Sequence, residues 1–159
     1  MKYLISKEGI ILKEPIFSLS QTLDCGQAFR WSQLDDITWH GYALNDYLML
    51  KQLDDGILFA NITKDVFLSK WVEYFDLNTD YELLKEKFCN TDDTLKKACQ
   101  FASGIRLLKQ DAWECLISFI ISQNNNIPRI KGCIESLCRN FGEYAGSYRG
   151  EEYYSMPAP

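Results

Sequence analysis

The stretch Thr38-Trp39-His40-Gly41-Tyr42, followed by Tyr47-Leu48-Met49-Leu50 and Ile57-Leu58-Phe59-Ala60, decides the fold. Each run is short and rich in β-branched and aromatic residues, a composition that favours strands. Asn45-Asp46 and Asp54-Asp55-Gly56 separate the runs and are typical of hairpin turns. The three runs therefore predict successive antiparallel strands.

The strand pattern extends upstream of this stretch, and a helical pattern replaces it downstream. Phe29-Arg30-Trp31 predicts a further strand, so we expect an antiparallel meander between Ile10 and about Ile62. From Thr63 onward the apolar spacing becomes helical, with Thr63 as the cap of the first helix. Strands first and helices afterwards indicate an α+β fold.

Capping signals predict where the next helices begin and end. The capping box Thr79-Asp80-Tyr81-Glu82 predicts a helix that starts there, and another helix is expected from Asp92 to Ser103, ended by Gly104. Asp111 and Glu114 have the same spacing ahead of an apolar run that reaches Ile121. Because that run leaves almost no polar face, it predicts a buried helix.

The amide-rich segment Ser122-Gln123-Asn124-Asn125-Asn126-Ile127-Pro128-Arg129-Ile130 joins this helix to the next one. Pro128 suits a first helical position, and Gly142 ends the apolar pattern that follows. The three asparagines therefore lie at a helix-to-helix corner. Asparagine is a favoured helix cap, which is one interpretation. The other is recognition of base edges, because asparagine and arginine side chains donate hydrogen bonds to them.

Composition limits the classes of function. The chain has 159 residues and a formal net charge of -5, which argues against a general electrostatic hold on phosphates. Its 6 cysteines form no CxxC pair, so we expect free thiols, no metal site and no cofactor. The sequence has no signal peptide and no run long enough to span a bilayer, and we expect an intracellular protein, cytoplasmic or nucleoid-associated.

Several blocks together resemble the 8-oxoguanine DNA glycosylase/AP lyase family, which belongs to the helix-hairpin-helix glycosylases. They cover the chain from about Phe17 to Pro159 and occur in the order of that family: Asp24-Cys25-Gly26-Gln27-Ala28-Phe29-Arg30-Trp31, Trp39 with Gly41, Tyr74 to Tyr81, Gly104 to Asp111 and Asn124 to Ile130. The resemblance implies an N-terminal antiparallel sheet domain similar to TATA-binding protein, with flanking helices, over residues 1–104. Residues 105–159 would be an incomplete helical domain that carries the asparagine loop and stops before the helix-hairpin-helix element.

The resemblance also implies a partner and three site residues. The complete enzyme would act on duplex DNA that contains 8-oxoguanine opposite cytosine. Gly26 is similar to the residue whose backbone carbonyl accepts the N7 hydrogen of 8-oxoguanine. Asn124 resembles the residue that fills the space left by the extruded base, and Arg129 resembles a reader of the estranged cytosine. Gly26 alternatively serves only to make a turn before Phe29.

The catalytic groups of that family, a lysine nucleophile and an aspartate, match no position in this sequence. We therefore assign no catalytic residue and expect the partner of this chain to be a missing C-terminal half. Gln27 and Arg30 are expected to support the fold or the Gly26 loop, and His40 to be structural or exposed. The alternatives are a non-catalytic DNA-binding module and an interaction scaffold with an exposed apolar face.

Overall fold

A computed structural model describes residues 1–14 and 16–158, and the α+β prediction is confirmed. Pro159, the last residue of the predicted helical domain, lies outside the described residues. Six strands form an antiparallel sheet in the order β1-β2-β6-β5-β4-β3. The strands are β1 (Tyr3–Ser6), β2 (Gly9–Leu12), β3 (Trp31–Gln33), β4 (Thr38–Ala43), β5 (Asp46–Leu53) and β6 (Gly56–Ala60).

The antiparallel meander from β3 to β6 is confirmed, but β3 covers Trp31–Gln33 rather than Phe29-Arg30-Trp31, and two further features of the sheet differ from the prediction. The hairpin β1–β2 was not predicted, and it joins the meander because β2 pairs with β6. The turn between β4 and β5 is Leu44-Asn45 rather than Asn45-Asp46, since Ala43 pairs with Asp46. Leu44 and Asn45 both have positive φ, 53° and 57°. A two-residue hairpin turn that follows the strand twist requires this conformation at both positions.

Helices cover one face of the sheet. The covering helices are α1 (Leu19–Leu23) and α2 (Lys64–Val66), which a π-helical stretch (Phe67–Trp71) continues into α3 (Val72–Tyr74). The next two helices, α4 (Tyr81–Cys89) and α5 (Asp93–Phe101), contain no buried residue. The side chain of Thr63 caps α2, as predicted. Trp31, Phe59, Phe67 and Phe75 pack between the sheet and the covering helices and are at most 1% exposed. The main core therefore lies between the meander and the helix that follows it.

Two predicted helix boundaries were wrong. Asp80, not Thr79, caps α4: its carboxylate accepts a hydrogen bond from the Leu83 amide at 3.0 Å. The Thr79 hydroxyl instead donates to the carboxylate of Asp76. Gly104 does not end α5, which finishes at Phe101. A Cβ on Gly104 would lie 2.4 Å from Cβ of Ser18, so this glycine allows a close approach to the segment before α1.

The last described part consists of α6 (Ala112–Ser122), α7 (Ile127–Phe141) and a hairpin of β7 (Tyr144–Tyr148) and β8 (Glu151–Tyr154). Asp111 and Gly142 bound these helices as predicted. The prediction that α6 is buried was wrong, because Leu116, Phe119 and Ile120 are exposed. Of the helices within the described residues, none has the length and apolar character to cross a membrane.

The hairpin β7–β8 was not predicted, and it covers the outer face of the sheet. Tyr148 stacks on Tyr47 with ring centroids 4.5 Å apart. The hydroxyl of Tyr153 lies 3.0 Å from Nδ1 of His40. His40 is consequently buried, and this burial lowers its pKa below 6.5. The structural interpretation of His40 agrees with these contacts.

Candidate nucleic-acid interface

The corner between α6 and α7 is held by two of its three asparagines. The carboxamide of Asn125 donates to the carbonyl of Ile121 at 3.1 Å and accepts from the amide of Asn126 at 3.0 Å. The side chain of Asn126 accepts from the amide of Arg129 at 3.1 Å and caps α7. The capping interpretation is therefore correct for Asn126, and the side chain of Asn125 stabilises the backbone of that cap.

Asn124 and Arg129 have no such structural use. Asn124 is exposed with φ at 50°, a left-handed conformation that asparagine adopts more readily than most residues. Within the described residues, neither the carboxamide of Asn124 nor the guanidinium of Arg129 has a hydrogen-bond or ion-pair partner. Both side chains project into solvent at the start of α7. They are available to bind a ligand.

Gly26 lies beside the same helix start, in the loop that follows α1. A Cβ placed on Gly26 would be 3.7 Å from Cδ1 of Ile127, the first residue of α7. This separation is an ordinary contact, so space does not require glycine here. Its φ of +83° does, because side chains rarely adopt that conformation. Within the described residues, the carbonyl of Gly26 accepts no hydrogen bond.

The three predicted recognition residues are thus grouped at one place. The loop of Gly26 contacts α7 at Ile127, Asn124 immediately precedes that helix, and Arg129 lies in its first turn. Three polar groups without a partner in the described residues belong to this region: the carbonyl of Gly26, the carboxamide of Asn124 and the guanidinium of Arg129. This set can bind a planar ligand with donor and acceptor edges, such as a nucleobase.

The Gly26 loop is fixed by Gln27, as expected. Its carboxamide donates to the carbonyls of Thr22 and Arg106 and accepts from the amide of Leu108. Gln110, which was not singled out from the sequence, donates to the backbone carbonyl of Gln27. The only sequence signal for Gln110 was its place in the block from Gly104 to Asp111. These contacts attach the loop to the segment between α5 and α6.

Arg30 connects the sheet to α6 and to the hairpin. Its guanidinium lies 3.6 Å from the carboxylate of Glu114, donates to the carbonyl of Tyr154 and sits over the ring of Tyr42. Burial raises the pKa of Glu114, and the positive charge of Arg30 opposes that rise. The expectation that Arg30 supports the fold agrees with this geometry.

Lys131 and Lys109 are engaged in structural contacts. Nζ of Lys131 donates to the carbonyl of Trp31 at 2.9 Å and lies 3.9 Å from the carboxylate of Asp24. Nζ of Lys109 lies 3.0 Å from the carboxylate of Asp76, and this hydrogen bond raises the pKa of Lys109. A lysine nucleophile must be neutral, so a raised pKa opposes such a role. The assignment of no catalytic residue stays a prediction.

Asp76 and Arg106 form a second polar network, away from Gly26. The carboxylate of Asp76 accepts hydrogen bonds from Thr79, Tyr81 and Lys109. Burial alone would raise the pKa of Asp76, and these contacts together lower it. The buried guanidinium of Arg106 donates to the backbone carbonyl of Asp76. This network anchors the segment before α6 to the sheet domain.

Neither a cluster of metal ligands nor the cavity beside β4 belongs to the candidate interface in the described residues. Within the described residues, no cluster of three or more His, Cys, Asp or Glu side chains is positioned to hold a metal ion. A cavity of about 540 Å³ lies between β4, α7 and β8. Its lining includes Tyr42 and Tyr153 but not Gly26, Asn124 or Arg129. This cavity is therefore separate from the candidate interface.

Comparison with known proteins identifies related sequences and structures. Residues 10–116 match the family described as 8-oxoguanine DNA glycosylase, N-terminal domain. The N-glycosylase/DNA lyase of Saccharomyces cerevisiae is 31% identical over 99% of this chain and 44% of its own length. The N-glycosylase/DNA lyase OGG1 of Arabidopsis thaliana is 30% identical over 89% of this chain and 40% of its own length. The chain therefore spans less than half the length of these curated relatives.

Solved structures show the same relation. The 8-oxoguanine glycosylase/lyase of Clostridium acetobutylicum, in its apo-form, is 36% identical with a TM-score of 0.91, over 99% of this chain and 55% of its own. The same enzyme in complex with duplex DNA containing cytosine opposite 8-oxoguanine gives the same TM-score. MBOgg1, in complex with a low-affinity DNA ligand, is 40% identical with a TM-score of 0.90. The likeness covers nearly all of this chain and about half of each relative.

Proposed function

The chain belongs to the 8-oxoguanine DNA glycosylase family, and from this premise we propose that it is the N-terminal, DNA-reading part of an 8-oxoguanine DNA glycosylase/lyase. The complete enzyme would excise oxidised guanine opposite cytosine from duplex DNA, in base excision repair. The observation that carries the proposal is the position of Gly26, whose carbonyl has no partner within the described residues, against the start of α7.

A carbonyl without a hydrogen-bond partner can distinguish 8-oxoguanine from guanine. At N7, 8-oxoguanine carries a hydrogen and is a donor, whereas guanine presents an acceptor. The Gly26 carbonyl would accept from the first base and repel the second. An unpaired buried acceptor costs about 1–3 kcal/mol, enough to discriminate between the bases. The glycine also lets the main chain approach a base closely.

Asn124 and Arg129 would act on the duplex after the base has left it. Extrusion of a base costs a few kcal/mol, which new contacts must offset. The free carboxamide of Asn124 can fill the vacated space and bond to base edges there. The guanidinium of Arg129 can donate to the acceptor edge of the unpaired cytosine. Asn124 is exposed, whereas the side chains of Asn125 and Asn126 are bonded to the backbone of the helix corner.

The chemical step would use residues beyond this chain. In a lyase of this kind a neutral lysine attacks C1′ of the sugar, displaces the base and forms a Schiff base that permits β-elimination. Lys109 and Lys131 are bound to Asp76 and to the Trp31 carbonyl, so they are poor candidates. The exposed apolar side chains of α6 support a requirement for further protein that covers them.

A non-catalytic DNA-binding module is the second candidate. The observation in its favour is that the three recognition residues are grouped here while Lys109 and Lys131 are bound to Asp76 and to the Trp31 carbonyl. Both candidates predict binding by this chain. They differ in whether added protein supplies catalysis.

Binding to duplexes with 8-oxoguanine or guanine opposite cytosine tests the proposal. The net charge of -5 makes phosphate contacts weak, so fluorescence anisotropy is measured at low salt. We expect preference for the 8-oxoguanine duplex, and at least about tenfold weaker binding for Asn124→Ala and Arg129→Ala. Asn61→Ala is the matched control, because Asn61 is also an exposed asparagine, with φ at 57°. Equal binding of both duplexes, or equal loss in the control, would refute the proposal.

A further inference from the structure

Gln27 uses every hydrogen-bonding group of its side chain within the fold. Its Nε2 donates to the carbonyl of Thr22 at 2.9 Å and to the carbonyl of Arg106 at 2.8 Å. Its Oε1 accepts from the amide of Leu108 at 3.0 Å. The side chain therefore joins the end of α1 to the extended segment before α6. Gly26, the adjacent residue, lies between these attachments and the start of α7.

Gln110 fixes the backbone of the same residue from the other side. Its Nε2 donates to the carbonyl of Gln27 at 2.5 Å. The two carbonyls that flank Gln27 in the backbone therefore differ. The Gln27 carbonyl accepts a hydrogen bond from Gln110, whereas the Gly26 carbonyl accepts none within the described residues. Two glutamine side chains separated by more than eighty positions determine which carbonyl of this loop faces a ligand.

We propose that Gln27 and Gln110 are positioning residues that hold the Gly26 carbonyl in the orientation needed to accept the N7 hydrogen of 8-oxoguanine. The proposal rests on the function proposed above for Gly26. Gly26 has the freest backbone in the loop, with φ at +83°. Without the two glutamines, its peptide group can rotate, and the carbonyl no longer meets a base at hydrogen-bonding geometry. Specificity for the oxidised base would fall before the fold is lost.

Gln52 provides a matched control. Its carboxamide donates to the carbonyls of Phe17 and Gly56 and accepts from the amide of Leu19, so it also makes three hydrogen bonds with the backbone. Gln52 lies on β5 and has no contact with the Gly26 loop in the described structure. Gln27→Ala and Gln52→Ala therefore each remove three side-chain hydrogen bonds to the backbone. If Gln27 had only a structural role, both substitutions would change nucleoside binding to a similar extent.

The test follows the backbone carbonyl of Gly26 by ¹³C NMR in the 159-residue chain. The probes are 8-oxo-2′-deoxyguanosine and 2′-deoxyguanosine, which need no extrusion from a duplex. In the unaltered chain we expect the Gly26 carbonyl signal to shift with the oxidised nucleoside alone. Gln27→Ala should abolish that shift and reduce the preference between the nucleosides by about tenfold, the loss of one good hydrogen bond. Gln52→Ala should leave both unchanged.

Gln110→Ala keeps the test decisive if Gln27→Ala does not fold, because it removes a single hydrogen bond at a half-buried side chain. A shift that survives both Gln27→Ala and Gln110→Ala would overturn the positioning role and leave the proposed function intact. No Gly26 response in the unaltered chain would overturn the lesion-reading role, and the positioning role with it. A loss in Gln52→Ala equal to that in Gln27→Ala would show a general structural effect and refute the proposal.

Discussion

The sheet domain and the pair α6–α7 differ in how completely each buries its apolar residues. In the sheet domain, Trp31, Phe59 and Trp71 belong to one continuous core between the strands and α1–α3. Under α7, the buried cluster consists of Ile130, Ile134 and Cys138. Phe119 of α6 is 64% exposed. Apolar periodicity therefore predicts which face of a helix is apolar. It does not predict whether other residues of the same chain bury that face.

This difference gives the two regions different sensitivity to substitution. Phe59→Ala should have the largest effect, because Phe59 is 0% exposed and packs edge-on against Phe67 and Phe75. We expect it to lower the free energy of unfolding by about 3–5 kcal/mol. Urea unfolding followed by tryptophan fluorescence measures the change. A loss below about 1 kcal/mol would show that the sheet core is not the stable unit.

Ile134→Ala should have a smaller and more local effect. Ile134 is 1% exposed, but the cluster around it is thin. We expect a loss of about 2 kcal/mol, confined to α7 and its neighbours. Amide hydrogen exchange should accelerate in α7 and stay unchanged in β4 and β5. Equal acceleration in the strands would contradict the division into two regions of different stability.

Glu114 tests the connection between the regions through pH. Its pKa is raised by burial, so the folded state binds a proton more readily than the unfolded state. Stability should then decrease as the pH rises from about 4.5, the ordinary value, through the higher folded pKa. Thermal unfolding from pH 4 to pH 7 should show this slope, and Glu114→Gln should reduce it. Glu135→Gln, an exposed glutamate on α7, is the control.

Phe119→Ser should have the smallest effect on stability, within about 0.5 kcal/mol, because the side chain is already exposed. It should nevertheless reduce self-association of the chain, since it interrupts the apolar surface formed with Leu116 and Ile120. Sedimentation velocity at several concentrations measures this effect. A large loss of stability would mean that α6 is packed more tightly than its exposure indicates.

Local sequence patterns predicted the elements whose signals are local. The strands from β4 to β6, the Thr63 cap and the end of α7 at Gly142 follow from β-branched and aromatic residues, capping residues and glycine. Gly104 was misassigned because a glycine that follows a helix resembles a cap. Its actual constraint is contact with Ser18, which is distant in sequence.

The hairpin β7–β8 had a local signal that its composition obscured. Arg149 and Gly150 both have positive φ, as a tight hairpin turn requires. The tyrosine- and glycine-rich composition after Phe141 favoured a connection, while the stability of the hairpin comes from Tyr148 and Tyr153 packing on the sheet. Such contacts between distant segments override local preference.

At the candidate interface, the family resemblance predicted the roles of Gly26, Asn124 and Arg129. The structure showed that these residues lie at the same end of α7. Spacing alone favoured capping for Asn124 to Asn126 and left recognition as the alternative. The structure divides these tasks, because Asn125 and Asn126 are bonded to the backbone and Asn124 is free within the described residues. No periodicity could predict that Gly26 lies against Ile127, because the two residues are distant in sequence and meet only in the folded chain.

Borohydride trapping on duplex DNA with 8-oxoguanine opposite cytosine tests most directly the claim that this chain reads DNA without performing the chemistry. Reduction captures a lysine Schiff base covalently. With DNA bound to saturation, we predict no adduct from the 159-residue chain, while the Clostridium acetobutylicum 8-oxoguanine glycosylase/lyase gives one. A trapped adduct from the chain would contradict the claim and place the nucleophile within it.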